Sequence, residues 1–209
     1  MISHKYKFVC LALPRCCSTT LAHILKPVIN NHIKFISNEH RKVEIYDEIT
    51  NKKIRHANIT HFINLYGEKI LKDYYKFCVI RNPWDRIISF VSHLVNEKGT
   101  SPFEKIEIAL DTYSDWINIY PHISYDDMPT MDKYILYDNF AQEMKEVLEK
   151  LCVPYDEVLL HKRINKRNVS DEILKEHRDY HYYFNQRPDL KERFDNLIKD
   201  EINFFQWKY

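Results

Sequence analysis

Glycine is scarce in this chain of 209 residues, which contains only Gly67 and Gly99. A glycine-rich dinucleotide-binding turn and a standard Walker A phosphate loop both need several closely spaced glycines, so the sequence excludes both motifs. The five cysteines are odd in number and form no Cys-x-x-Cys pair, which argues against a disulfide framework and a structural zinc site. We therefore expect reduced thiols and a cytoplasmic location.

An excess of charge of either sign is also missing, because the formal net charge is +1. No global field attracts nucleic acid or an anionic membrane, so an anion must be bound by a local cluster. No stretch reaches the ~18 apolar residues of a membrane span, and the short apolar run near the N-terminus is not typical of a signal peptide. With 44% hydrophobic residues, we predict a single domain over residues 1–209 with its own core.

Apolar, strand-like runs alternate along the chain with segments of helical periodicity. The weak alternation in 42–54 is compatible with a strand or with an irregular excursion. Strands that alternate with helices predict an α/β fold, with a parallel sheet and helices on both of its faces. The predicted strands are 6–13, 75–80 and 134–137, and the predicted helices are 18–26, 59–66, 84–95, 102–119, 139–151, 171–180 and 189–204.

Two short segments carry most of the functional information. Leu13–Thr20 follows the apolar run 7–12, and Arg81–Ser89 follows the apolar run 77–80. In each, a predicted strand passes through a tight loop with an arginine into the start of a helix. A helix N-terminus with a nearby arginine is an anion site, because its backbone N–H groups and dipole favour negative charge. Two such sites suit a ligand with two separated phosphates.

These segments resemble the nucleotide-binding motifs of the sulfotransferases that use 3′-phosphoadenosine 5′-phosphosulfate, and most of all the carbohydrate sulfotransferase branch (sulfotransferase family 2). Pro14-Arg15-x-x-Ser18-Thr19-Thr20 looks like the family's 5′-phosphosulfate loop. Arg81 and Ser89, eight residues apart, look like its 3′-phosphate motif. A looser similarity extends to 200–205. The resemblance implies a P-loop-like three-layer fold with a central parallel sheet flanked by helices. It also implies sulfonate transfer from that donor, without a metal, to a small-molecule or glycan hydroxyl, with carbohydrate as the favoured acceptor.

The resemblance assigns a set of residues to the donor. Arg15, as the catalytic cation, neutralises charge on the leaving phosphate oxygen. The family usually has lysine at this place, and arginine keeps the charge but cannot give up a proton. Cys17 replaces the usual glycine, which predicts that the loop does not need a positive φ there or is slightly altered. The donor contacts are Arg15, Cys17, Ser18, Thr19 and Thr20 at the 5′ side, Arg81 and Ser89 at the 3′-phosphate, and Lys166 and Arg167 as further phosphate contacts.

The acceptor hydroxyl needs a general base, and histidine is the usual choice near neutral pH. The sequence contains eleven histidines. His56 lies shortly before the helix that precedes the second motif, where relatives carry a histidine, and it is the predicted base. His61 is the second choice.

Several structural interpretations compete with these roles. Arg15 could be a plain surface cation, and Ser18 a plain helix cap. Arg81 could end its strand and pair with Asp85. The basic run 161–167 could be a solvated loop, as most charge runs are.

At the level of the whole chain, the alternatives are a P-loop-like small-molecule or nucleotide kinase with an aberrant phosphate loop and a catalytically inactive nucleotide-binding domain. The kinase interpretation is poorly supported, because the sequence has no Gly-Lys-Ser/Thr motif and no aspartate clearly placed to bind magnesium. Nucleic-acid binding is poorly supported by the charge balance, and the sequence gives no indication of an oligomeric state.

Overall fold

The structure is a computed structural model that describes residues 1–29, 33–37, 43–48, 52–54, 56–92, 100–162 and 179–209. The chain divides into two compact units. Unit 1 consists of Met1–Ile80 and Pro121–Lys166, and unit 2 of Arg81–Tyr120 and Arg167–Tyr209. Compact units occur within single domains as well as between domains, so the single domain predicted over 1–209 stays a prediction.

The central sheet of unit 1 contains strands β1 (Ile2–Ser3), β2 (Phe8–Leu11), β6 (Tyr75–Ile80) and β9 (Lys133–Leu136), in that order across the sheet. β6 pairs in parallel with both β2 and β9, and β1 is antiparallel to β2. Leu11 lies opposite Cys78, so β2 and β6 end towards the same edge of the sheet. The predicted α/β fold with a central parallel sheet flanked by helices is confirmed. The two-residue strand β1 was not predicted, because it is too short for a periodic signal.

The other elements outside the helical core of unit 2 are short. The segment at 42–54, predicted as strand or excursion, contributes two strands to a separate antiparallel sheet with the order β3-β4-β5. A two-stranded hairpin, β7-β8, precedes β9. Their bounds are α1 Ser18–Leu25, β3 Ile33–Ser37, β4 Val43–Asp47, β5 Lys52–Lys53, α2 Ile59–Tyr66, α3 Lys69–Asp73, α7 Tyr120–Ile123, β7 Ser124–Tyr125, β8 Met128–Pro129, a 3-10 turn Tyr137–Asn139, α8 Phe140–Lys150 and α9 Glu157–His161.

Over its described residues, unit 2 consists of helices packed on one apolar core. Burial of a large apolar side chain contributes about 1.5–3 kcal/mol, so this core contributes to the stability of the unit. The helices are α4 Pro83–Val91, α5 Pro102–Thr112, α6 Ser114–Ile117, α10 Tyr180–Gln186, α11 Pro188–Leu197 and α12 Lys199–Phe205. The core comprises Trp84, Ile87, Ile88, Val91, Ile106, Ala109, Leu110, Ile117, Tyr183, Phe184, Leu190, Phe194 and Ile198.

Local capping signals account for both ends of α2. Asn58 accepts a hydrogen bond from the backbone N–H of His61 and starts α2, and Gly67 ends it at a φ of 82°. Two predicted helices are each divided. The helix predicted at 102–119 breaks at Tyr113, and the one at 189–204 breaks at Ile198, where the backbone leaves the helical conformation. Most of the helix predicted at 171–180, up to residue 178, lies outside the described residues.

Candidate functional site

The loop of residues 12–17 connects the end of β2 to the N-terminus of α1. Arg15 is half-buried in this loop, and Ser18 and Thr19, the first residues of α1, are buried. The first turn of α1 contains no acidic residue. Because the first N–H groups of a helix have no acceptor within the helix, a cationic loop followed by an uncompensated helix start can bind an anion.

The backbone of this loop is strained. Arg15 has a φ of 60° and Cys17 a φ of 57°, both in the left-handed region that L residues rarely adopt. Cys17 is the N-cap of α1 and makes no capping hydrogen bond with its side chain. The expectation that Cys17 needs no positive φ is therefore wrong: the loop retains the glycine-like conformation although cysteine occupies the place. Ser18 lies inside the helix, so it is not the N-cap either.

His56 lies against the start of the same loop. Its Nδ1 atom is 2.5 Å from the carbonyl oxygen of Ala12, and the side chain is half-buried. A carbonyl oxygen can only accept, so Nδ1 carries the proton and Nε2 of the neutral ring carries the lone pair. The contact fixes both the ring and its tautomer. It therefore leaves the imidazole able to accept a proton at Nε2 close to the loop that holds Arg15.

Three residues of this group have a strained backbone. In the described chain, eight residues other than glycine have a positive φ, and Arg15, Cys17 and His56 (φ 63°) are three of them. Each such conformation costs on the order of 1–3 kcal/mol and persists only where the surrounding structure imposes it. Clustering of strained residues is typical of functional sites, and here they are residues that the sequence had singled out.

His61, the second choice as base, has a different environment. It is the third residue of α2, and its backbone N–H donates to the Asn58 side chain over 2.8 Å. Its ring packs edge-on against Phe62 with 6.2 Å between ring centroids, and its Nε2 atom is buried. A buried ring nitrogen is less accessible to a substrate hydroxyl, so the surroundings favour His56 over His61 as the general base.

In unit 2, Arg81 precedes α4 and is bound to the first turn of that helix. Its Nε donates to Oδ2 of Asp85 over 2.5 Å, which is the pairing that the sequence left open. Residues four apart share a helix face, so Asp85 and Ser89 lie on one face, one turn apart. The guanidinium of Arg81 is therefore held on the face that carries Ser89. A guanidinium has five N–H donors, so one bond to a carboxylate is compatible with binding a phosphate.

A buried hydrogen-bond network that the sequence did not predict contacts the main chain of Arg81. Arg86 is 2% exposed and donates through Nη1 and Nη2 to both carboxylate oxygens of Glu201, over 2.7 and 2.6 Å. It also donates to the carbonyl oxygens of Arg81 (3.2 Å) and Ile117 (2.9 Å). The partners are up to 115 residues apart, so no local pattern could have revealed the network.

Three thiols are buried in the loop that follows β2 and in the neighbouring strands β2 and β6. Cys10 and Cys78 are fully buried on the neighbouring strands β2 and β6, and Cys16 is buried in the loop. Burial raises the pKa of Cys10 to about 12. Burial also raises the pKa of Cys78 well above its ordinary value, with the nearby Cys10 and Cys16 adding to the effect. The structure forms no disulfide bond between the cysteines that it describes, and their reduced state stays a prediction.

Some predicted residues and features fall elsewhere. Lys166 and Arg167 lie outside the described residues, so they stay sequence-based predictions. The aromatic residues Tyr183 and Phe184 are buried in the core of unit 2. In the parts of the chain that the structure describes, we find neither a helix long and apolar enough to cross a membrane nor a group of side chains arranged to hold a metal ion.

Comparison with known proteins identifies a family. A model of the sulfotransferase family matches residues 1–181, which is most of the chain and includes both loop motifs. The segment 200–205, to which a looser similarity extended, lies beyond the match. No curated protein and no solved structure matches the chain.

Proposed function

The chain belongs to the sulfotransferase family, and we propose that it transfers a sulfonate group from 3′-phosphoadenosine 5′-phosphosulfate to a hydroxyl group of a carbohydrate. One observation carries the catalytic part of this proposal. His56, 44 residues from Ala12 along the chain, lies with Nδ1 on the Ala12 carbonyl oxygen at the start of the Arg15 loop. A loop that carries a cation and a base that lies against that loop supply the two groups that an in-line transfer to a hydroxyl needs.

The reaction balances with these two side chains. Nε2 of His56 takes the proton of the acceptor hydroxyl while the oxygen attacks sulfur. The bond between sulfur and the bridging phosphate oxygen breaks on the opposite side, and the products are a sulfate ester and 3′,5′-bisphosphoadenosine. Negative charge grows on the phosphate oxygen as it leaves, and Arg15 stabilises it with its planar guanidinium. Holding the reacting groups in line supplies much of the remaining acceleration.

We assign donor binding to the same residues as the family motifs do. Ser18, Thr19 and Thr20 offer hydroxyl groups and backbone N–H groups at the start of α1, and this first turn contains no carboxylate to repel an anion. Arg81 and Ser89 bind the 3′-phosphate in this proposal. This assignment is supported by the bond between Arg81 and Asp85, which holds the Arg81 guanidinium on the helix face that carries Ser89. The two motifs follow β2 and β6, which are neighbouring parallel strands.

The test is an activity assay with the purified protein and 35S-labelled donor against a panel of carbohydrate, phenol and amine acceptors. We expect label on carbohydrate hydroxyls, with the rate unaffected by EDTA. Label only on phenols or amines would overturn the acceptor class. Transfer of 32P from the γ-position of ATP, abolished by EDTA, would instead indicate a kinase. Binding of 3′,5′-bisphosphoadenosine by calorimetry with no transfer to any acceptor would indicate an inactive nucleotide-binding domain.

A further inference from the structure

A buried ion pair in unit 2 has no part in the proposed chemistry and yet contacts one of its residues. The guanidinium of Arg86 donates to both carboxylate oxygens of Glu201 on α12. It also donates to the carbonyl oxygen of Ile117, at the end of α6, and to the carbonyl oxygen of Arg81. Arg86 is 2% exposed and Glu201 is 0% exposed, so solvent screens this network very little.

We infer that Arg86 and Glu201 are positioning residues for the nucleotide: α12, through this pair, sets the main chain of Arg81 and thereby aims its side chain at the 3′-phosphate. The inference rests on the proposed function of Arg81. Arg81 precedes Asn82, the N-cap of α4, so its carbonyl lies outside the hydrogen-bond ladder of the helix. A bond to that carbonyl limits rotation of the peptide that leads into α4.

The side chain of Arg81 is restrained as well. Nε bonds to Asp85 over 2.5 Å, while Nη1 of Arg86 bonds to the Arg81 carbonyl over 3.2 Å. An arginine held by both its main chain and its side chain loses little conformational entropy when it binds a phosphate. Glu201 acts on Arg81 indirectly, because its two carboxylate oxygens fix the plane of the Arg86 guanidinium. Only a planar fork can bond to one carboxylate and two carbonyl groups in this arrangement.

The alternative is that the pair merely stabilises the fold. Replacement of both residues by apolar ones distinguishes the positioning role from a purely structural role. Exchange of a buried ion pair for apolar residues of similar volume often leaves stability unchanged or raises it, whereas loss of one partner is strongly destabilising. The double variant Arg86→Met with Glu201→Leu therefore retains the fold but lacks the bond to the Arg81 carbonyl. The single variant Arg86→Lys keeps a positive charge facing Glu201 but lacks the fork.

The experiment measures calorimetric binding of 3′,5′-bisphosphoadenosine to the full chain, with thermal unfolding recorded for each variant. We expect both the double variant and Arg86→Lys to fold and to bind about 5- to 20-fold more weakly, the effect of one lost hydrogen bond and its orientation. In assays, KM for the donor should rise while kcat stays within about twofold, since the 3′-phosphate is bound equally in ground and transition states. Native affinity in either folded variant would overturn the inference.

Two further variants test whether the loss of affinity is specific to the Arg86–Glu201 pair and acts through Arg81. Asp132→Asn disrupts a different pair with a buried cation, that of Lys76 in unit 1, and should leave the affinity unchanged. In an Arg81→Ala background, Arg86→Lys should have no further effect on affinity; an equal effect in both backgrounds would contradict action through Arg81. If Arg81→Ala alone leaves the affinity unchanged, the proposed 3′-phosphate site itself is wrong, which is a different result from failure of the positioning pair.

Discussion

Nδ1 of His56 lies 2.5 Å from the carbonyl oxygen of Ala12, although the two residues are 44 positions apart along the chain. The contact assigns a proton to Nδ1, and it ties the segment before α2 to the loop after β2. His56 also has a left-handed backbone, with a φ of 63°. The relationship therefore places His56 beside the Arg15 loop, where the proposed base has to lie.

Replacement of His56 tests the base directly. His56→Ala should lower turnover by about 10²–10⁴-fold, the usual contribution of a general base. Affinity for 3′,5′-bisphosphoadenosine should stay within about twofold, because the base contacts the acceptor and not the nucleotide. The matched control is His61→Ala, whose ring packs on Phe62. If turnover falls with His61→Ala and not with His56→Ala, His61 is the base.

The 3′-phosphate assignment makes a prediction about affinity. Arg81→Ala should weaken binding of 3′,5′-bisphosphoadenosine by about 1.5–3 kcal/mol, the range of a hydrogen bond to a charged group. Calorimetry on the isolated protein measures this change. Arg193→Ala is the control, because Arg193 is an exposed arginine of the same unit that pairs with Asp111. A similar loss in both variants would mean that the effect comes from overall charge and not from a phosphate contact.

The strained loop makes a prediction about stability. Cys17→Gly should raise the free energy of unfolding by about 0.5–1 kcal/mol, because glycine adopts the φ of 57° without a Cβ clash but also loses more entropy on folding. Chemical denaturation measures the difference. Cys17→Ala keeps the strain and removes the thiol, so it should give no gain. A gain with alanine equal to that with glycine would assign the effect to the thiol.

The buried thiols predict a pattern of alkylation. At pH 8, exposed Cys152 should react with iodoacetamide well before Cys10 and Cys78, which are buried. With its pKa raised to about 12, Cys10 at pH 8 has a thiolate fraction of about 10⁻⁴. Mass spectrometry of labelled peptides in native buffer and in urea gives the comparison. Rapid native labelling of Cys10 would contradict its burial.

The raised pKa of Cys10 also makes the stability of the fold depend on pH. The folded pKa of Cys10 lies above its ordinary value of 9.0, so its neutral thiol stabilises the fold below about pH 9. This contribution should decrease as the pH rises from about 9 towards 12, because the unfolded chain releases the proton first. A Cys10→Ser variant should show a shallower decline over that range in denaturation experiments.

Local chemistry was enough to predict much of the secondary structure. Asn58 and Gly67 mark the two ends of α2, and the predicted bounds of that helix and of the strand Tyr75–Ile80 are those observed. Caps and apolar periodicity act within a few residues, so they can be read along the chain. The breaks at Tyr113 and Ile198 were missed, because each continues an apolar pattern and differs only in backbone conformation.

The sequence by itself determined which residue types stand at the two loops: Arg15 with the hydroxyls after β2, and Arg81 with Ser89 after β6. Only the tertiary structure decided that His56 lies on Ala12, that Cys17 adopts a positive φ, and that Arg86 joins Glu201 to the carbonyl of Arg81. These relationships join residues up to 115 positions apart or depend on the path of a loop. Their free energy comes from packing around the chain, which no window of neighbouring residues contains.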